Sequence, residues 1–72
     1  MKKIYDITII GGLGHVGLPL GITFADCNLK VCLFDIDERN FKIVKDGKLP
    51  FIEYNAKNKL RKTLKNKNLN LS

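Results

Sequence analysis

The chain has two cysteines, one histidine and no tryptophan among its 72 residues. With so few soft ligands, Cys27 and Cys32 have no second cysteine pair and no histidine cluster to complete a transition-metal centre, so no metal site is expected. A disulfide between them would have to join a helix end to a mid-strand position, so they read as two small buried apolar residues in a reducing cytoplasm. Acids are missing from residues 54–72, where Lys57, Lys59, Arg61, Lys62, Lys65 and Lys67 lie. Residues 1–53 carry seven basic and seven acidic side chains, so the whole formal charge of +6 belongs to that last stretch. One reading of it is a small basic module contacting nucleic acid or an acidic surface. The other is a solvated helix face, which the lack of any aromatic or glycine-rich RNA motif favours; no nucleic-acid partner is expected.

Ionised side chains are also missing between Ile7 and Ala25, behind Lys2 and Lys3, and such a stretch superficially resembles an export signal or a membrane span. Asp6 at its start, five glycines, Pro19 and His15 within it, and no small-residue cleavage site after it argue against both. No internal repeat and no flexible linker divides the chain, so a single unit is expected. At this length only about 60% of the unfolded surface is buried on folding, and the core must be small.

What is present is an alternation of strand and helix signals. Ile4, Tyr5, Ile7, Ile9 and Ile10, ending at Gly11-Gly12, read as a strand buried on both faces, whose natural place is a parallel sheet. Val16, Leu20 and Phe24 recur every four residues, with Leu13 and Gly17 offset between them, and predict the buried stripe of a helix from about Gly14 to Asp26. Asn28 suits a left-handed cap, and residues 30–34 form a second strand. Asp37 can cap a second helix with Phe41 and Val44 in the core and Gly47 just past its end. After an extended Leu49-Pro50-Phe51, a third helix is predicted from about Tyr54, with Ala56, Leu60, Thr63 and Leu64 on its buried face. Leu69-Asn70-Leu71 begins a third strand. This order predicts an α/β fold built on a parallel sheet.

Between the first strand and the first helix, Gly12-Leu13-Gly14-His15-Val16-Gly17 spells G-x-G-x-x-G. The first glycine permits the tight turn, the second lets a pyrophosphate approach the main chain, and the third lets helix and sheet pack closely. The N–H groups around His15 and Val16, at the positive end of a helix dipole, suit phosphate oxygens. Alone the pattern is weak, but Asp35 ends the second strand 21 residues after Gly14, where a ribose-binding acid belongs. A carboxylate there accepts from ribose hydroxyls and repels a 2′-phosphate, so NAD is expected rather than NADP. The chain therefore reads as a partial doubly wound Rossmann domain over residues 1–72: the first βαβ unit, a following helix and the start of a third strand. Gly12, Leu13, Gly14, His15, Val16, Gly17 and Asp35 are the cofactor-binding candidates. Asp37 is better explained as a helix cap and Arg39 as a solvated helix residue, and His15 has no acid or nucleophile spaced to make it catalytic.

The segments GLGHVGLPL (12–20), FDID (34–37) and GKLPFIE (47–53) together resemble the N-terminal domain of the UDP-glucose/GDP-mannose dehydrogenase family, in its order and with about its spacing. The resemblance implies an enzyme that oxidises the C6 alcohol of a UDP-sugar to a carboxylate in two hydride transfers to NAD. Only the NAD half carries over, because nothing here matches the family's nucleophilic cysteine or its lysine and asparagine partners. No catalytic residue is therefore expected, and the chain is read as an N-terminal part that is inactive alone, prone to self-association, and without a membrane partner. Three features depart from the family pattern: Gly11 precedes the fingerprint, Asn40 stands where many relatives have a cofactor-holding lysine, and Tyr54-Asn55 replaces Pro-Gly.

Overall fold

The short apolar runs become strands and the spaced apolar residues become helices in the computed structural model, which describes residues 5–51 and 56–72. The elements are β1 (Ile7–Ile10), α1 (Gly17–Asp26), β2 (Val31–Phe34), α2 (Glu38–Lys45), α3 (Ala56–Lys65) and β3 (Leu69–Leu71). The strands are parallel in the order β1-β2-β3, with Ile7 opposite Val31 and Val31 opposite Leu69. Parallel neighbours cannot be joined by a tight turn, so α1 makes the first crossover, and α2 and α3 the second. This is the expected α/β unit of a partial Rossmann fold. Ile4 and the expected start of the third helix at Tyr54 lie outside the described residues.

Helix ends follow local chemistry. Asn28 takes φ +68°, and past it Leu29 N–H donates to the Phe24 carbonyl at 3.2 Å. Gly47 takes φ +78° and Lys48 N–H reaches the Ile43 carbonyl at 3.1 Å, so α1 and α2 both end in a left-handed residue that lets the last carbonyls find donors. The Asp37 side chain accepts from Asn40 N–H at 3.0 Å and starts α2, as its position predicts.

The core joins Leu13 from the loop, Leu18, Ile22 and Ala25 of α1, and Val31 and Leu33 of β2 to Val44, Ala56, Leu60 and Leu69. Helix α1 lies close on the sheet because Gly21 has no side chain: a Cβ there would stand 2.5 Å from Leu33 Cδ2. Buried Thr63 is satisfied within α3, its hydroxyl donating to the Lys59 carbonyl at 2.7 Å. Polar side chains tie neighbouring elements together. The Asp6 carboxylate accepts from Lys30 N–H at 2.8 Å, and Asn68 Nδ2 donates to the Ala25 carbonyl at 3.3 Å.

Four sequence expectations are corrected. First, α1 starts at Gly17 rather than Gly14. Second, its buried stripe is Leu18, Gly21, Ile22 and Ala25; of the expected stripe Phe24 is partly buried against the core, whereas Val16 is 80% exposed and Leu20 44% exposed. Both stripes are apolar and lie two residues out of phase, so periodicity finds the helix without finding its inner face; the close contact at Gly21 decides it. Third, β1 is covered on one face among the described residues: Ile7 and Ile9 are half-buried while Thr8 and Ile10 are exposed, because α1 packs on the side of Ile9 and Leu33. Fourth, Cys27 is exposed past the end of α1, and only Cys32 is buried. The charge-free stretch from Ile7 to Ala25 is divided among β1, a loop and a ten-residue helix, and among the described residues no helix is long and apolar enough to cross a membrane.

The two faces of α1 give a direct test. We expect Leu18→Ala to cost about 2–5 kcal/mol, as for a buried leucine, and Leu20→Ala less than about 1 kcal/mol. Urea unfolding of the two variants checks this, and equal losses would mean that the helix is turned the other way.

Candidate functional site

Chain direction sends β1 and β2 to the same end of the sheet, and the loop leaving β1 lies there beside the end of β2. Gly11 and Gly12 donate their N–H groups to the Phe34 carbonyl at 2.8 and 3.1 Å, which fastens the loop entrance to β2. The turn itself falls one residue earlier than the fingerprint suggests, since Gly11 is the loop residue with positive φ (+72°). Gly12 is instead a point of close approach: a Cβ would stand 2.8 Å from Leu33 Cβ. At Gly17 a Cβ would meet the Gly11 carbonyl oxygen at 2.8 Å, so the helix start and the loop touch main chain to main chain.

Gly14 is different. A Cβ built on it meets nothing nearer than the Gly11 carbonyl oxygen at 3.5 Å, so the space beside it is open. Among the described residues no main-chain acceptor pairs with the N–H groups of His15, Val16 or Gly17, at the start of α1. Three free donors and a helix N-terminus beside an open glycine form a cradle for a negatively charged group. Leu13 differs from its neighbours: its side chain is fully buried and its N–H is already donated to Asp35 Oδ2 at 3.0 Å, so no main-chain donor of Leu13 is left for a ligand.

Asp35 directly follows β2 and faces this loop. Its other oxygen, Oδ1, accepts from Asp37 N–H at 3.0 Å. Beside it an open cleft of about 510 Å³ is lined by Asp35, Ile36, Glu38, Phe41, Lys42 and Ser72, at the carboxyl ends of the strands, where ligands of open α/β sheets bind. Asp37 is the cap of α2, and Arg39 is exposed on that helix. His15 is exposed, and its ring stacks on Phe51 at 4.4 Å between centroids and 20° between planes, which joins the glycine loop to the segment after α2. Sequence reading did not anticipate this stack, nor the bond from Asn40 Nδ2 to the Leu13 carbonyl at 3.2 Å. Residues 52–55, including Glu53 of the GKLPFIE segment, lie outside the described residues. No cluster of three potential metal ligands occurs among the described residues.

Comparison with known proteins places this geometry in a family. The model of the UDP-glucose/GDP-mannose dehydrogenase family, NAD binding domain, matches residues 5–72. The chain is 44% identical over 48 residues to UDP-N-acetyl-D-mannosamine dehydrogenase of Methanococcus aeolicus, which covers 67% of this chain and 11% of that protein. It is 43% identical over 53 residues to UDP-glucose 6-dehydrogenase of Bacillus subtilis, covering 74% of this chain and 11% of the relative. The solved structure of a UDP-D-ManNAc dehydrogenase from Pyrococcus horikoshii superposes with a TM-score of 0.84 at 30% identity, over 92% of this chain and 16% of that one. The chain thus spans only a small part of the relatives it matches.

The hydrogen bonds on Asp35 make its charge part of the fold. The Asp37 N–H, then the Leu13 N–H, hold its pKa below the ordinary 3.8, with the Ile36 main chain adding to them and partial desolvation opposing. A carboxyl group whose pKa is lower folded than unfolded stabilises the fold above the unfolded value, and that stability is lost as pH falls through the folded one. We expect stability to decline as pH drops below 3.8, and Asp35→Asn to flatten that limb. Circular dichroism at stepped pH measures it, and identical acid limbs in the two forms would show that Asp35 is not held in this way.

Proposed function

Since the chain belongs to the UDP-glucose/GDP-mannose dehydrogenase family and forms part of its NAD-binding domain, we propose that the loop Gly12–Gly17 binds the pyrophosphate of NAD and that Asp35 binds the adenosine ribose. The observation that carries this reading is the open space at Gly14 beside the free N–H groups of His15, Val16 and Gly17, with the Asp35 carboxylate next to the loop. Gly12 and Gly17 bring loop, strand and helix close enough to aim those donors, and Leu13 links the loop to Asp35. When bound, NAD accepts a hydride; this chain's residues bind it, orient it and discriminate against a 2′-phosphate. The activity it serves is oxidation of the C6 alcohol of a UDP-sugar to a carboxylate, in the cytoplasm. The relatives' names support the nucleotide-sugar class. Cys27 caps the carboxyl end of α1, the end away from the loop, and Cys32 lies opposite Thr8 of β1; no residue of this chain is assigned a catalytic role.

The alternative, a basic module acting through residues 54–72, is less favoured by the geometry. Lys62 and Lys59 approach Asp26 of α1 at 3.1 and 3.9 Å, and Arg61 Nε donates to the Gly47 carbonyl at 3.2 Å, so half of that set works within the fold. Self-association is the partner reading that the sheet supports. β1 pairs with β2 alone among the described strands, and Ile10 is 76% exposed, which leaves an apolar edge open to a second chain.

Titration calorimetry with NAD and NADP tests the cofactor reading. We expect Gly14→Val to abolish NAD binding while the circular dichroism spectrum holds, because the side chain fills the phosphate space. Asp35→Ser should reduce the NAD preference by about tenfold, the worth of a charged hydrogen bond. Equal affinity of Gly14→Val would reduce the loop to a turn. For the edge, we expect sedimentation to show dimers or larger species that Ile10→Lys shifts toward monomer. A wild-type chain that sediments as a monomer at all concentrations would refute it.

A further inference from the structure

We propose that Asn40 is a positioning residue for the glycine loop, closing a ring of four hydrogen bonds that sets the loop in its binding form before any dinucleotide arrives. The ring runs through three elements. Leu13 N–H donates to Asp35 Oδ2 at 3.0 Å, and Asp37 N–H donates to Asp35 Oδ1 at 3.0 Å. Asn40 N–H donates to Asp37 Oδ1 at 3.0 Å, and Asn40 Nδ2 donates to the Leu13 carbonyl at 3.2 Å. Loop, strand end and helix start are thereby closed on one another, and only the amide of Asn40 returns the chain of bonds to the loop.

The bond to Leu13 matters because of what the next peptide must then do. A trans peptide points its C=O and the following N–H in opposite directions. Holding the Leu13 carbonyl toward α2 therefore turns the Gly14 N–H away from α2, and it meets the Gly11 carbonyl at 3.3 Å. That orientation leaves Gly14 facing open space, the place proposed for the pyrophosphate. The donor at position 40 is fixed in turn, because the main chain of Asn40 is tied to the cap Asp37. An amide is suited to the task, since it donates to a carbonyl without adding charge beside Asp35. Asn40 also stands where the family resemblance leads one to expect a lysine directed at the cofactor, and in this chain the side chain at that position is directed at the protein's own loop.

The inference rests on the dinucleotide reading, and the experiment separates the two. Amide hydrogen exchange of the full chain without ligand is followed by NMR in wild type, Asn40→Ala and Asn40→Asp, the last preserving size while exchanging the donor for an acceptor. We expect faster exchange at Leu13 and Gly14 in both variants, unchanged exchange at Val31 and Leu33, and NAD affinity weakened about three- to tenfold, the worth of one neutral hydrogen bond. The NAD/NADP ratio of Asn40→Ala should stay within about twofold of wild type, as a residue acting through the loop requires. Unchanged exchange at Leu13 and Gly14 overturns the proposal. So does a NAD/NADP ratio that shifts as in Asp35→Ser, which would make Asn40 a direct ribose contact. Faster loop exchange in a chain that binds no NAD even as wild type would leave the ring standing and remove the dinucleotide reading.

Discussion

The Asp35 carboxylate accepts main-chain N–H groups from both sides of itself in space, Leu13 of the glycine loop and Asp37 at the start of α2, and the arrangement of the candidate site follows from that double engagement. A loop rich in glycine has the most backbone freedom to lose on ordering. Here the loop is tied at its entrance by the Phe34 carbonyl, in its middle by Asp35 and Asn40, and at its exit by the contact of Gly17 with Gly11. Ordering is thereby completed by the protein itself, which lowers what a ligand would have to contribute on binding.

The same carboxylate has two duties that pull on one group. It is structural toward Leu13 and Asp37, and it is proposed to accept from a ribose. An ionised carboxylate has about four lone-pair sites, so two main-chain donors leave room for sugar hydroxyls. The donors that lower its pKa favour the charged form, which is the form that the proposed ribose contact requires. The fold and the proposed selectivity thus call on the same ionisation.

Away from the site, α1 and α3 pack on the sheet and on each other, and their charges are shared between them. Asp26 of α1 lies between Lys59 and Lys62 of α3, and Arg61 caps the turn at Gly47. Exposed ion pairs of this kind contribute at most about 1 kcal/mol each. Their effect is to orient α3 over α1, where Leu60 and Thr63 are buried. A basic segment can thus serve the fold of its own chain.

Much of the fold was legible in the residues because it depends on local chemistry. β-branched and apolar runs made the strands, Asp37 started α2 and Gly47 ended it, Asn28 ended α1, and glycines 12, 14 and 17 with Asp35 marked one end of the sheet. Each of these follows from the conformational preference of a residue or from a fixed spacing along the chain. What the sequence could not decide depends on distances between elements. Both stripes of α1 are apolar, so only the approach of Gly21 to Leu33 chose the buried one. Burial of β1 on one face, exposure of Cys27 and the turn at Gly11 were likewise set by what packs nearby. Asn40 shows the difference most clearly: 27 residues separate it from Leu13, and its amide acquired a partner only when β2 and α2 carried it to the loop. The sequence by itself determined the elements and the glycine fingerprint, because those follow from local conformational preference and spacing. Tertiary structure decided which faces are covered and which donors remain free, because both depend on neighbours distant in the chain.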